Sequence, residues 1–153
     1  MDLILWRHAE AESVEDDSQD LLRHLTPRGE RQAARMSKWL DRQLPESVKI
    51  YCSPAQRCLQ TVQTLGRKFK VRDELSPQCD HQDLLTMAQW PHAKMTVLIV
   101  GHQPALGLTI AQILDIPVLQ GSVRKGSVWW LRSKQREQGI QTQLLAVQSP
   151  DLL

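Results

Sequence analysis

Cysteine is scarce in this sequence and odd in number: Cys52, Cys58 and Cys79. Three thiols cannot close a disulfide framework, and these are not spaced as metal ligands. They read as small buried hydrophobes of a reducing compartment. A surplus of one charge is also lacking. The 19 lysines and arginines against 17 aspartates and glutamates leave a formal net charge of +2. The basic residues form no run, so nothing points to a nucleic-acid partner. Long hydrophobic runs are absent as well. Met1-Asp2-Leu3 carries no basic leader, and the apolar run it opens is too short for a signal peptide or a membrane span. The expected location is therefore the cytoplasm, with no membrane contact. No repeat, low-complexity tract or linker divides the 153 residues, so residues 1–153 read as one domain able to bury a core. Nothing in the sequence asks for an oligomer; a monomer suffices.

What is present is an alternation of strands and helices. Leu3-Ile4-Leu5-Trp6 is a continuous apolar run, the pattern of a strand buried on both faces. Residues 9–20 are acidic and lack apolar periodicity, and their carboxylates match no EF-hand loop, so they read as a solvated surface loop. Thr26-Pro27 opens a helix, with Thr as cap and Pro at the first helical position. Ala33, Met36, Leu40 and Leu44 give it a core-facing stripe, and Pro45 stops it.

Val48 to Cys52 reads as the second strand. Ser53-Pro54 repeats the cap-then-proline device for a helix with Cys58, Val62, Leu65 and Phe69 on its buried face. Lys70 to Leu75 reads as extended. Asp80 to Trp90 reads as a helix, with Asp80 as cap and Asp83 as first-turn charge. Met95 to Val100 is the third buried strand, and Ala105 to Leu114 a further helix. Gly126 to Leu131 and Ile140 to Val147 are the late strands, paired as a hairpin through a polar turn ending at Gly139, with Trp129-Trp130 in the core. The fold class expected is α/β: three layers, a mostly parallel central sheet with helices on both faces, and the late strands antiparallel.

Three strand ends carry residues that suit chemistry better than packing. Arg7-His8 follows the first strand, Ser53-Pro54 leads from the second to Arg57, and Gly101-His102 follows the third. If these strands run parallel, their ends share the sheet edge where open α/β folds bind ligands. Arg57 in the first turn of a helix opposes the helix dipole, and an anion nearby would offset that cost. One imidazole can attack phosphorus while a guanidinium grips the oxygens. A second imidazole can stabilise the charge that develops. Gly101 would let the backbone approach closely. Cys52 and Arg57 enclose four residues and no glycine, one residue short of the Cys–Arg phosphate loop of protein tyrosine phosphatases, so a thiol nucleophile is set aside.

Leu5-Trp6-Arg7-His8-Ala9, Leu25-Thr26-Pro27-Arg28-Gly29, Ser53-Pro54-Ala55-Gln56-Arg57-Cys58-Leu59-Gln60-Thr61 and Val100-Gly101-His102 resemble, in order, the four motifs of the histidine phosphatase superfamily, the phosphoglycerate-mutase-like group. The short chain, and Arg-His-Ala where Arg-His-Gly is commoner, look most like the SixA-type phosphohistidine phosphatases. The small Ala9 would keep close approach to a phosphoryl oxygen. The resemblance implies that His8 is the nucleophile that becomes phosphorylated. Arg7 and Arg57 would bind phosphoryl oxygens, and His102 would complete the pocket. Arg23, just before Leu25-Thr26, matches an arginine of SixA-type proteins and is carried as a further phosphate ligand. No cofactor and no metal are implied. The implied partner is a phosphorylated protein, for which a phosphorelay histidine-phosphotransfer domain is one candidate.

Most superfamily members that cleave phosphate esters use a carboxylic acid in the segment between the second helix and the third strand. Here that segment offers Glu74, Asp80, His81 and Asp83, none of them in a matching motif. An alkoxide leaving group needs a general acid. A phosphohistidine imidazole protonated on its other nitrogen leaves as a neutral ring. A site without a strong acid therefore suits P–N cleavage. The chain also has no insertion long enough for a large lid, which suits a phosphoryl group presented on a protein surface. Two alternatives stay open: a phosphatase or mutase of small phosphate esters, and a non-catalytic phosphoprotein-binding module.

Overall fold

The structure is a computed structural model, and it describes residues 1–118 and 122–153. In chain order its elements are β1 (Asp2–Arg7), α1 (Pro27–Gln43), β2 (Lys49–Cys52), α2 (Gln56–Gln63), β3 (Lys70–Val71), α3 (His81–Ala88), β4 (Val97–Gly101), α4 (Ala105–Leu114), β5 (Val128–Arg136) and β6 (Gly139–Gln148). They build a single six-stranded sheet in the order β3-β2-β4-β1-β5-β6. β3, β2, β4 and β1 are mutually parallel, and β5 and β6 are antiparallel additions beside β1.

The apolar run at the start of β1 is buried because it lies inside this sheet with helices on both sides. Side chains alternate across a strand. Ile4 and Trp6 accordingly join Met36, Leu40, Cys58 and Val62 from α1 and α2 on one face. Leu3 and Leu5 join Leu84, Ala88, Leu106 and Ile110 from α3 and α4 on the other. Three layers, the parallel centre and the antiparallel late hairpin all match the expectation. No helix among the described residues is long and apolar enough to cross a membrane.

Local departures have physical causes. The second helix starts at Gln56, and its cap is Ala55 with no side-chain bond; Ser53 lies two residues before the cap, and its hydroxyl accepts from the Ala55 amide at 3.2 Å while lying 2.7 Å from a histidine on a neighbouring strand end. The helix stops at Gln63, so Leu65 and Phe69 reach the core from the connection that follows. Only Lys70–Val71 of the extended segment pairs, and Asp73–Leu75 coils into a 3-10 turn. Asp80 does cap α3, its carboxylate accepting from the Gln82 amide at 2.9 Å. Trp130 is buried in the core, while Trp129 packs against the opposite face only partly covered. The acidic stretch is not simply solvated. Ala9 and Ala11 are buried, and Asp17–Leu22 forms a 3-10 turn capped by Asp16.

Candidate active site

Sheet register, not sequence proximity, assembles the site. Arg7 of β1 pairs with Gly101 of β4, and Cys52 of β2 pairs with Val100. The next residue of each chain then falls at one edge: His8, Ser53 and His102. The His8 amide donates to the Gly101 carbonyl at 3.2 Å, and the Ser53 amide to the Val100 carbonyl at 3.1 Å. The His8 and His102 rings end 5.3 Å apart between centroids, tilted by 54°.

His8 is 4% exposed. Its Nδ1 lies 2.7 Å from the Ala9 carbonyl, which can only accept, so Nδ1 carries the hydrogen. Nε2 is left with its lone pair. That atom has no hydrogen bond to a described residue. Burial lowers the His8 pKa to about 3, opposed by the Ala9 bond and reinforced by Arg57, Arg7 and Arg23. The ring is neutral at pH 7, the state an attacking nitrogen needs.

His102 is equally buried, and burial, His8 and the same arginines lower its pKa to about 2. Arg57 Nη2 lies 3.3 Å from His102 Nδ1. A guanidinium only donates, so Nδ1 accepts and Nε2 holds the hydrogen. Ser53 Oγ receives that hydrogen at 2.7 Å and also accepts from the Ala55 amide at 3.2 Å. Cys58 Sγ sits 3.4 Å from the same Nε2. Burial pushes the Cys58 thiol up to about 12 and raises Cys52 as well, so neither offers a thiolate nucleophile at neutral pH.

The arginines are arranged for an anion. Arg57 is 3% exposed. Its Nη1 donates to the Asp20 carbonyl at 2.8 Å and its Nη2 approaches the Asp20 carboxylate at 3.2 Å. Arg7 Nη1 donates to the Val123 carbonyl at 2.9 Å. The Nε atoms of both Arg7 and Arg57 are buried without a hydrogen-bond partner among the described residues. A buried guanidinium N–H lacking an acceptor is costly, and phosphoryl oxygens are the acceptors its fork fits best. Burial, with Arg57 next, lowers the Arg7 pKa, a further sign of crowded positive charge. Arg23 donates from Nε to Asp20 Oδ1 at 3.0 Å and from Nη1 to the Glu12 carbonyl at 3.1 Å. It joins Arg57 through Asp20.

The remaining motif residues hold the loop after His8. Thr61 Oγ1 accepts from the Ala9 amide at 3.1 Å and donates to the Arg57 carbonyl at 2.7 Å. Thr26 caps α1 through the Gly29 amide, and its own amide donates to the Glu10 carbonyl at 3.0 Å. A Cβ on Gly29 would fall 2.0 Å from that carbonyl oxygen, so only glycine permits the approach. Gly101 is different: a Cβ there meets nothing closer than Leu106 at 3.7 Å, so protein packing does not demand glycine. The Ala9 methyl packs against Leu25 and Ala33. Sequence reasoning named Arg7, His8, Arg57 and His102, which converge, and Arg23, which reaches them through Asp20. It missed Ser53, Thr61 and Asp20. The position of Ser53 directly after a buried strand was the available signal.

Glu74 pairs with Arg72 at 3.6 Å, and Asp80 is engaged in capping α3 and with His81 at 3.3 Å. Asp83 shares a shallow cavity of about 320 Å³ with Glu74. None of them hydrogen-bonds or ion-pairs with the two histidines or with Arg7 and Arg57. A larger groove of about 580 Å³ at the β3 edge is lined by Lys49, Lys68, Phe69 and Lys70 among others and contains no histidine. No cluster of three or more potential metal ligands occurs among the described residues.

The family model of the histidine phosphatase superfamily (branch 1) matches residues 3–84, over half the chain, and the chain belongs to that superfamily. It is similar to phosphohistidine phosphatase SixA of Escherichia coli (strain K12), at 28% identity over 122 residues covering 74% of each chain. A solved structure described as a SixA phosphohistidine phosphatase, from Nakamurella multipartitia, superposes with a TM-score of 0.76 at 29% identity, covering 97% of this chain and 95% of the other. A protein histidine phosphatase SixA complexed with tungstate shares the fold, with a TM-score of 0.74, 24% identity and 99% of both chains covered.

Proposed function

We propose that the chain is a metal-independent phosphohistidine phosphatase that works in the cytoplasm as one domain, residues 1–153. The observation that carries this reading is the neutral His8 ring, tied through Nδ1 to the Ala9 carbonyl, beside Arg7 and Arg57, whose buried Nε–H groups lack acceptors among the described residues. His8 Nε2 attacks phosphorus, and Arg7, Arg57 and Arg23 take the phosphoryl oxygens. The P–N bond to the substrate imidazole breaks, and that ring leaves neutral because its other nitrogen already holds a proton. The product is a phospho-His8 intermediate. Water then attacks the same phosphorus, the bond to Nε2 breaks, and inorganic phosphate departs.

His102 faces the same charge. In the arrangement described, Nδ1 accepts from Arg57. When phosphoryl oxygens draw Arg57 away, the Ser53 hydroxyl can turn to donate to Nε2. For this Nε2 gives its proton up to solvent and Nδ1 takes one in return, so that Nδ1 carries the hydrogen and donates to the transferring group. A hydroxyl both donates and accepts, so the exchange needs no net change of charge.

The substrate that fits is a histidine phosphorylated on a protein surface, with a histidine-phosphotransfer domain as one candidate. It is favoured over phosphate esters because Glu74, Asp80 and Asp83 make no hydrogen bond or ion pair with the histidines or arginines of the site, and the carboxylate that is there, Asp20, is taken up by Arg57 and Arg23. The test is a panel of radiolabelled phosphohistidine proteins and alkyl and aryl phosphates. The expected result is rapid phosphate release from phosphohistidine, with an acid-labile, base-stable label trapped on His8. Faster cleavage of the alkyl esters would overturn the assignment.

A further inference from the structure

We propose that the Asp20 carboxylate is a resident competitor for the phosphoryl group, which an incoming anion must displace from Arg57. The proposal rests on the site assignment above and deepens it. Asp20 meets two arginines at once. Its Oδ2 lies 3.2 Å from Arg57 Nη2, its Oδ1 3.0 Å from Arg23 Nε, and its carbonyl accepts from Arg57 Nη1 at 2.8 Å. One carboxylate thus spans two cations as a tetrahedral oxyanion would.

The placement is built. Asp17–Leu22 is a single 3-10 turn, and Asp16 caps it by accepting from the Ser18 amide at 2.9 Å. The chain on either side is pinned. The Glu12 amide donates to the His24 carbonyl at 2.8 Å, Ala11 bridges to Leu25, and Gln60 Oε1 accepts from the Leu25 amide at 2.7 Å. The turn itself has no buried residue, so it can lift without opening the core. The Asp20 side chain is 30% exposed, whereas that of Arg57 is 4% exposed. The acid is therefore the partner that solvent can receive when the pair opens.

Charge decides who wins. A phosphoryl dianion brings two negative charges and three acceptor oxygens against a single carboxylate. It displaces Asp20 from a pocket shared by Arg7, Arg57 and Arg23. A monoanion of similar size gains no such advantage. The cost of freeing Arg57 is the same whichever anion enters, so Asp20 lowers the affinity of the pocket for all of them and leaves occupancy to the strongest binder.

Titration calorimetry with inorganic phosphate on the full chain tests this. Asp20→Asn is expected to bind phosphate about five-fold more tightly than the natural chain, the scale of a partly exposed ion pair. Asp16→Ala, which loosens the turn without touching an arginine, is expected to shift affinity in the same direction. Acetate should gain by a similar factor in Asp20→Asn, because either anion must displace the same carboxylate. Asp17→Asn removes the same charge from the same turn but has no contact with the arginines, so it should change little. Unchanged or weaker phosphate binding by Asp20→Asn would overturn the proposal. So would an equal gain in Asp17→Asn, which would mean a general field effect. Phosphohistidine turnover by the natural chain is scored separately. If that turnover is absent while Asp20→Asn still tightens phosphate, the substrate assignment fails and the competitor stands.

Discussion

Ser53 Oγ lies 2.7 Å from His102 Nε2, although 49 residues separate the two in the chain. The bond is fully buried, and it joins the end of β2 to the end of β4. It sets which nitrogen of His102 holds the hydrogen, and so whether the ring can donate to a phosphoryl oxygen. Ser53→Ala is expected to lower kcat by about ten-fold, the worth of one buried hydrogen bond lost from the transition state. KM should stay near its natural value, because the arginines that bind the ground state are untouched. Steady-state kinetics on a phosphohistidine protein checks the split.

Thr61 ties the backbone on both sides of the site, accepting from the Ala9 amide and donating to the Arg57 carbonyl. Thr61→Val keeps the shape and removes the hydroxyl. The buried Ala9 N–H is then left unpaired, at a cost of about 2 kcal/mol. Urea unfolding should show a lower midpoint with an unchanged slope.

Gly29 lets the start of α1 approach the Glu10 carbonyl, where a Cβ would sit 2.0 Å from the oxygen. Both atoms belong to backbone, so neither can swing aside. Gly29→Ala should destabilise the fold by about 2–3 kcal/mol and displace the loop after His8. A fall in both the unfolding midpoint and phosphatase activity is the expected outcome; no change in either would contradict it.

His8 and His102 have pKa values lowered from 6.5, to about 3 and about 2, chiefly by burial. Below pH 6.5 the unfolded chain binds protons that the folded chain does not, so stability falls as pH falls. The loss runs from about pH 6.5 down toward the folded values. Asp2, lowered by its Arg132 and Trp130 hydrogen bonds against desolvation, adds a further loss only below its ordinary carboxylate range. Thermal midpoints measured from pH 7 to pH 4.5 should drop steadily. His8→Asn should flatten the slope in this window.

Much of this protein was legible in its sequence, for reasons local to each stretch. Thr26-Pro27 starts a helix because a hydroxyl caps free amides and a proline needs no donor there. Leu3 to Trp6 could only be a doubly buried strand. The misreading of Ser53 shows the limit. Ser-Pro before a helix reads as a cap by every local rule. The competing partner, His102, lies on a strand that becomes a neighbour only when β2 and β4 pair.

The sequence by itself determined the α/β alternation, the strand ends that carry Arg7, His8 and His102, and the helix that carries Arg57, because periodicity and capping act over a few residues. Only the tertiary structure decided who meets whom. The register of β1 against β4 sets the two imidazoles 5.3 Å apart between centroids. The turn at 17–22, with the chain on either side pinned, brings Asp20 to Arg57 across 37 residues of chain. Burial among these neighbours, a property no single stretch possesses, keeps both rings neutral.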